Sequence, residues 1–243
     1  MANILSEVLQ TYKSNLKFVL FFSIPFVIAF LIPLFAPLPT YISAGGIFIR
    51  SSSVVGNLNF LNLAVILIAI FFSLLFISFA FVAISLIVKS RKTRSKISKR
   101  VMQDIERYIS KVFILLLIYT FILLAVNVLG YLYGNMDLIT ALVGFFGFIP
   151  LFYAPSAIVV DNKSMGRAVK DSIKLVVKNP GYFILWFVLI SIIISIVDFI
   201  MIAIAGAYLS MYLTLIIVSL FILPYFVIFQ AEAYMRRFAI LKH

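Results

Sequence analysis

Residues 89–111 read KSRKTRSKISKRVMQDIERYISK, and nine of these 23 residues are Lys or Arg, against two acids. Runs of Leu, Ile, Phe and Val too long for a soluble core flank this basic segment, at about 60–88 before it and about 112–132 after it. A membrane retains loops rich in Lys and Arg on its cytoplasmic face. The basic segment therefore predicts that these two spans are joined on the cytoplasmic side of the membrane. Because successive spans cross in opposite directions, this sets the direction of every other span.

The composition excludes an ordinary soluble domain. Of the 243 residues, 65% are hydrophobic and 12% are charged, whereas soluble domains have about 45–50% apolar and about 25% charged residues. The chain contains no Cys, and its single His is the last residue, His243. Disulfides and thiolate metal sites are therefore excluded, and a His metal cluster or a Ser/His/Asp triad would have only a frayed chain end to use. We expect no metal, no cofactor and no enzymatic activity.

Six apolar segments are long enough to cross a hydrocarbon core of about 30 Å, which takes about 20 residues of helix. They lie at about 16–35, 60–88, 112–132, 138–160, 181–205 and 211–229. With both termini in the cytoplasm, 19 of the 20 Lys and Arg residues lie inside and only Arg50 lies outside. A cleavable signal peptide is disfavoured for the first span, because its apolar run exceeds the usual length of about 7–15 residues. The sequence predicts an all-α helical bundle, one domain over 1–243, that is multi-pass in the plasma membrane.

Two inner segments have amphipathic helical periodicity and are predicted to lie on the inner leaflet as surface helices. The apolar positions are Ile97, Val101, Ile105, Tyr108 and Ile109 in the first segment, and Met165, Ala168, Val169, Ile173 and Val176 in the second. For the second helix, Ser164 is the predicted N-cap and Asn179-Pro180 the predicted end.

The basic segment also supplies the candidate contacts to anionic lipid headgroups. These are Lys89, Arg91, Lys92, Arg94, Lys96, Lys99 and Arg100. Each Lys or Arg near an anionic membrane surface contributes about 1 kcal/mol. This chemistry favours membrane lipid over nucleic acid as the partner, and an acidic membrane or cytoplasmic protein is a second candidate.

Polar residues inside the predicted spans are few. Asp198 is the only acid there, and a charge at the bilayer centre costs about 2.5–3.5 kcal/mol. Two interpretations stay open: a structural pair with Arg50, or a site for a ligand or ion. Asn127 is expected to form interhelical hydrogen bonds. Glu232 is expected to make an exposed ion pair with Arg236, four residues later.

The second inner segment has a pattern that resembles a known family. Its residues are Asp161, Ser164, Ala168, Lys170, Ser172, Val176 and Asn179. The order resembles the "D…S…A-x-K-x-S…V-x-x-N" inner helix of the membrane domain associated with glycerophosphodiester phosphodiesterases, and of related uncharacterised six-span families of archaea and bacteria. The resemblance implies a six-helix membrane domain whose own activity is generally unassigned. The catalytic barrel of such phosphodiesterases is a separate soluble domain, so no catalytic residue carries over.

Two functions fit these observations. The first is a non-enzymatic scaffold, assembly or transport-accessory subunit. The alternative is a small transporter for a lipid-like or polar solute, which needs several polar groups converging at mid-depth in the bundle. One acid with scattered Ser and Asn residues favours the first.

Overall fold

The computed structural model describes residues 2–35, 40–43, 46–49, 59–92, 97–133 and 137–240. The helices in this part of the chain are α1 Ala2–Ser14, α2 Leu16–Leu31, α3 Phe60–Lys92, α4 Ile97–Tyr133, α5 Asp137–Asp161, α6 Met165–Lys178, α7 Pro180–Ile217 and α8 Leu223–Ile240. A 3-10 turn, Ile32–Phe35, extends α2, and a π turn, Val218–Ile222, joins α7 to α8.

Five described segments are long and apolar enough to cross a membrane. They are Leu16–Leu34, Phe60–Arg91, Ile105–Gly130, Leu142–Asp161 and Pro180–Arg236. These lengths are those of a membrane-embedded helical protein, as the composition predicts. The last segment has 57 residues, which at 1.5 Å per residue would make a straight helix of about 85 Å, nearly three times the hydrocarbon thickness.

That last segment is a pair of antiparallel helices, because the chain reverses at Gly206. Gly206 has φ 71° and ψ 169°, in the region that only glycine adopts readily. Trp186 Nε1 donates to the Phe226 carbonyl at 3.2 Å, and the Thr214 hydroxyl donates to Asp198 at 3.4 Å. Both pairs are centred on residue 206, as expected for two helices that meet there. The reversal therefore lies in the gap between the predicted spans 181–205 and 211–229, but it is confined to Gly206, and the helix resumes directly after it.

The two predicted inner helices differ in the structure. The first does not exist as a separate surface helix, because α4 runs without a break from Ile97 into the third apolar segment. No Gly or Pro occurs before Gly130 to end it. The second is α6, which begins after Asn162, the left-handed residue (φ 53°) that ends α5.

The bundle is helical, as predicted, and the connection between α2 and α3, which is predicted to lie outside, contains a short hairpin. Strands β1, Thr40–Ser43, and β2, Gly46–Ile49, form an antiparallel hairpin in which Thr40 pairs with Ile49. Both strands contain the β-branched and aromatic residues that favour extended backbone.

The core of the bundle lies at the end where α3, α5 and α8 approach the inner helices. Residues 82–88 of α3, 151–159 of α5 and 226–234 of α8 are buried at every position. A helix that is buried on all faces has protein on all sides. Further from this end, large apolar side chains such as Phe71 and Ile118 are exposed, as expected where lipid replaces protein. The end with the fully buried helices is called the inner end below.

Candidate functional site at the inner end

The predicted intramembrane site is described only in part. Asp198 is half-buried on α7 and accepts the hydrogen bond from Thr214. It lies eight residues, or about 12 Å of helix, from the reversal at Gly206. Arg50 lies outside the described residues, as does the side chain of Asn127. The pairing of Asp198 with Arg50 therefore stays a prediction.

Two of the seven predicted lipid contacts have described side chains, and both bind protein acceptors. The Lys89 ammonium donates to the Val159 carbonyl at 2.7 Å and to the Tyr108 hydroxyl at 3.4 Å. Val159 lies in the last turn of α5, where the backbone carbonyls have no N–H donor from their own helix. Lys89 supplies that donor and so caps α5. Arg91 donates to the Thr11 hydroxyl.

The other five lipid candidates cannot be placed by their side chains. Arg94 and Lys96 lie outside the described residues, and the side chains of Lys92, Lys99 and Arg100 do as well. Contact of these residues with anionic lipid stays a prediction.

The expected exposed pair of Glu232 and Arg236 is wrong. Glu232 is 1% exposed, and its carboxylate lies 3.0 Å from the Thr11 hydroxyl. Arg236 instead pairs with Glu7 at 2.8 Å. Helix α1 packs on α8 and brings Thr11 and Glu7 to these partners, a tertiary contact that spacing along α8 could not indicate. Because Arg91 also binds Thr11, opposite charges flank one buried hydroxyl.

Aromatic packing completes the contact between α1 and α8. Tyr12 packs edge-on against Tyr225, with 5.9 Å between the ring centres. Burial raises the pKa of the Tyr12 phenol, because it disfavours the charged phenolate.

A second polar group joins α8 to the start of α6. Tyr234 is fully buried, and its hydroxyl donates to Asp161 at 2.7 Å. Lys163 lies 3.3 Å from the same carboxylate and also pairs with Asp171. The last residue of α5, the turn after it, α6 and α8 are thus connected through three charges and one phenol.

Ser172 connects α6 to α5 through two hydrogen bonds. Its hydroxyl donates to the Ile149 carbonyl at 2.9 Å and accepts the Tyr153 N–H, also at 2.9 Å. These two groups are four residues apart in α5, so the hydroxyl lies within the hydrogen-bond ladder of that helix. Ser172 is buried while Ile173, predicted on the apolar face, is 41% exposed. The correction follows from the four-residue spacing of the buried positions of α6, which are Ala168, Ser172 and Val176.

An open cleft of about 630 Å³ lies beside Asp161 and Lys163, where α4 passes the turn between α5 and α6. Its lining residues are Lys111, Asp161, Asn162, Lys163, Ser164, Met165 and Arg167. Ser164 occupies the predicted N-cap position with extended backbone, but its side chain makes no capping hydrogen bond. The cleft therefore has three cations and one acid around it.

Sequence reasoning missed most of this inner-end network. Asp161 and Ser172 occur in the family-like pattern of residues 161–179, so the sequence did mark them as candidates. Thr11 had a weaker one, because it lies among the apolar positions of α1 next to Tyr12. Tyr234 had none. Among the described residues, no group of three or more His, Asp or Glu residues could hold a metal ion.

Comparison with known proteins adds no assignment. No protein-family model, no curated protein and no solved structure matches this chain. The resemblance to the phosphodiesterase-associated membrane domain thus rests on the short pattern around α6 and stays a prediction.

Proposed function

We propose that this chain is a six-span protein of the plasma membrane, with both termini in the cytoplasm, and that it acts as a non-enzymatic scaffold, assembly or transport-accessory subunit. The reversal at Gly206 supports six spans, because it divides the fifth apolar segment into two antiparallel helices. The charge distribution supports the orientation, since 19 of 20 Lys and Arg residues then lie inside.

The observation that carries the functional proposal is the closed inner end. Every residue of 82–88, 151–159 and 226–234 is buried, and two of the polar residues among them, Glu232 and Tyr234, bind other parts of the protein. Toward α7, the rings of Phe152 and Phe183 are 5.1 Å apart and those of Trp186 and Phe226 are 5.6 Å apart. A solute entering from the cytoplasm would have to separate these packed side chains.

A scaffold or accessory subunit needs such a fixed end, because its partners recognise a constant surface. The inner end has this property: hydrogen bonds and ion pairs connect α1, α3, α5, α6 and α8. Anionic headgroups of the inner leaflet are the proposed lipid partners of its basic surface.

The transporter is the alternative, and Asp198 is the observation that favours it. An ionisable residue within a span is a candidate ion or substrate site. Thr214, which donates to Asp198, is itself 1% exposed. A transport pathway would connect this pair to water on both sides.

Cysteine accessibility distinguishes the two functions, and the absence of native Cys makes the chain a clean background. Ser85 and Ser156 are fully buried, and their hydroxyls have no hydrogen-bond partner among the described residues, so Ser→Cys removes no described bond at either position. Ser164 is exposed and serves as the matched control. A small, charged, membrane-impermeant thiol reagent should label Ser164→Cys from the cytoplasmic side.

The same reagent should leave Ser85→Cys and Ser156→Cys unlabelled from both sides until the protein is denatured. Labelling of both buried positions in the folded protein would reveal an aqueous path through the inner end. That result would overturn the scaffold proposal and favour the transporter.

A further inference from the structure

The open cleft at the start of α6 joins parts of the chain that are far apart in sequence. Lys111 comes from α4, Lys163 from the turn after α5, and Arg167 from the first turn of α6. The lining carries three positive charges and the one negative charge of Asp161, a formal balance of +2. Asp161 and Lys163 also belong to the polar network of the inner end, through Tyr234 and Asp171.

The acid in the lining is already satisfied by the protein. Asp161 accepts the Tyr234 hydroxyl at 2.7 Å and pairs with Lys163 at 3.3 Å. Lys163 also pairs with Asp171. These four groups compensate one another in large part, so the excess positive charge of the cleft resides on the other two cations.

Those two cations have no carboxylate partner among the described residues. The Lys111 ammonium lies 3.5 Å from the neutral amide oxygen of Asn162, at the limit of a hydrogen bond. Arg167 is exposed, and the described part of the chain offers its guanidinium neither a hydrogen bond nor an ion pair. A Lys and an Arg that face one cleft and have no described carboxylate partner suit an anion with several oxygens, because guanidinium binds such anions through two parallel hydrogen bonds.

We propose that this cleft binds a phosphate group, either as the headgroup of an anionic phospholipid or as free phosphate. A phosphate monoester carries about −1.5 to −2 charges at pH 7, which suits the two positive charges of Lys111 and Arg167. The volume of about 630 Å³ exceeds what phosphate alone requires and leaves room for a headgroup. The lipid source rests on the proposed inner-leaflet orientation, whereas phosphate chemistry in the cleft does not.

Calorimetric titration of the full chain in uncharged, phosphate-free detergent micelles tests the proposal. The three probes are inorganic phosphate, short-chain phosphatidic acid and short-chain phosphatidylcholine. The double variant Lys111→Gln/Arg167→Gln removes both unpaired cations. Its matched control is Lys170→Gln/Lys174→Gln, which removes the same charge from exposed positions of α6 outside the cleft.

Wild-type protein should bind phosphatidic acid more tightly than phosphatidylcholine. The cleft variant should lose about tenfold or more in affinity, as expected when a hydrogen bond to a charged group is removed. The control should change by about twofold or less. Binding of inorganic phosphate with the same dependence on the variants would identify free phosphate as sufficient, and binding of phosphatidic acid alone would identify the lipid headgroup.

Two results would overturn the proposal. One is no saturable binding of phosphatidic acid or phosphate by the wild-type protein. The other is an equal loss in both double variants, which would indicate general attraction to a basic surface. If the double variant fails to fold, Arg167→Gln alone allows the same comparison. A negative result leaves the scaffold proposal standing, because cysteine accessibility tests it without any phosphate probe.

Discussion

Removing one hydroxyl, in Ser172→Ala, should loosen α6 from the bundle by a measurable amount. The hydroxyl donates to the Ile149 carbonyl and accepts the Tyr153 N–H. Ser172 and Tyr153 are both buried. A hydrogen bond contributes about 0.5–1.5 kcal/mol net, so two bonds correspond to about 2 kcal/mol. Part of the loss is recoverable, because the two groups freed in α5 are spaced to bond each other. We therefore expect a loss of about 1–2 kcal/mol in the free energy of unfolding.

The matched control is Ser156→Ala. Ser156 is buried in α5 as well, but no described residue bonds its hydroxyl, so replacing it should cost less than about 0.5 kcal/mol or stabilise the protein. The assay is loss of helical circular dichroism in mixed micelles as the fraction of denaturing detergent rises, after checking that one transition describes the data. Equal losses for the two variants, or no loss for Ser172→Ala, would refute the assigned role of the Ser172 hydroxyl.

Three further predictions use the same unfolding assay. Gly206→Ala should cost about 1–2 kcal/mol because Ala is strained at φ 71°, whereas Gly144→Ala, in a helix with open space around the new methyl group, should cost nothing; similar effects would contradict the reversal at Gly206. Thr11→Val and Glu232→Gln should be coupled by about 0.5–1.5 kcal/mol in a double-mutant cycle, and additive losses would show that this buried contact does not stabilise the docking of α1. If Asp198 is half of an ion pair, Asp198→Asn should lower stability; unchanged or higher stability would favour its role as a ligand or ion site.

The helices that are long and apolar enough to cross a membrane could be recognised from local sequence. An apolar run of about 20 residues must satisfy its backbone within itself, so its helical state does not depend on what it contacts. This is why α2, α3 and α5 begin and end near the predicted limits. Glycine similarly marks the reversal at residue 206, because the required φ is a property of that residue alone.

The candidate site was predicted less well, because its partners are distant in sequence. Thr11 and Glu232 are 221 residues apart, and Lys89 and the Val159 carbonyl are 70 apart. Spacing along α8 pointed to Arg236 as the partner of Glu232, and only the packing of α1 assigns Arg236 to Glu7. The positive charge of Lys89 could be read from the sequence, but the hydrogen bond from its ammonium to α5 could not.

The sequence by itself therefore determined which segments are suited to lipid and which to water, and at which ends of the apolar segments the positive charge lies. Both follow from composition over about 20 residues. The tertiary structure alone decided which polar groups are buried and which acceptors they have. Burial of Glu232 or Ser172 is tolerable only when another element supplies a hydrogen-bonding group at the same point in space. That condition is met by the folded positions of α1, α5, α6 and α8, and no local pattern in any one of these helices contains it.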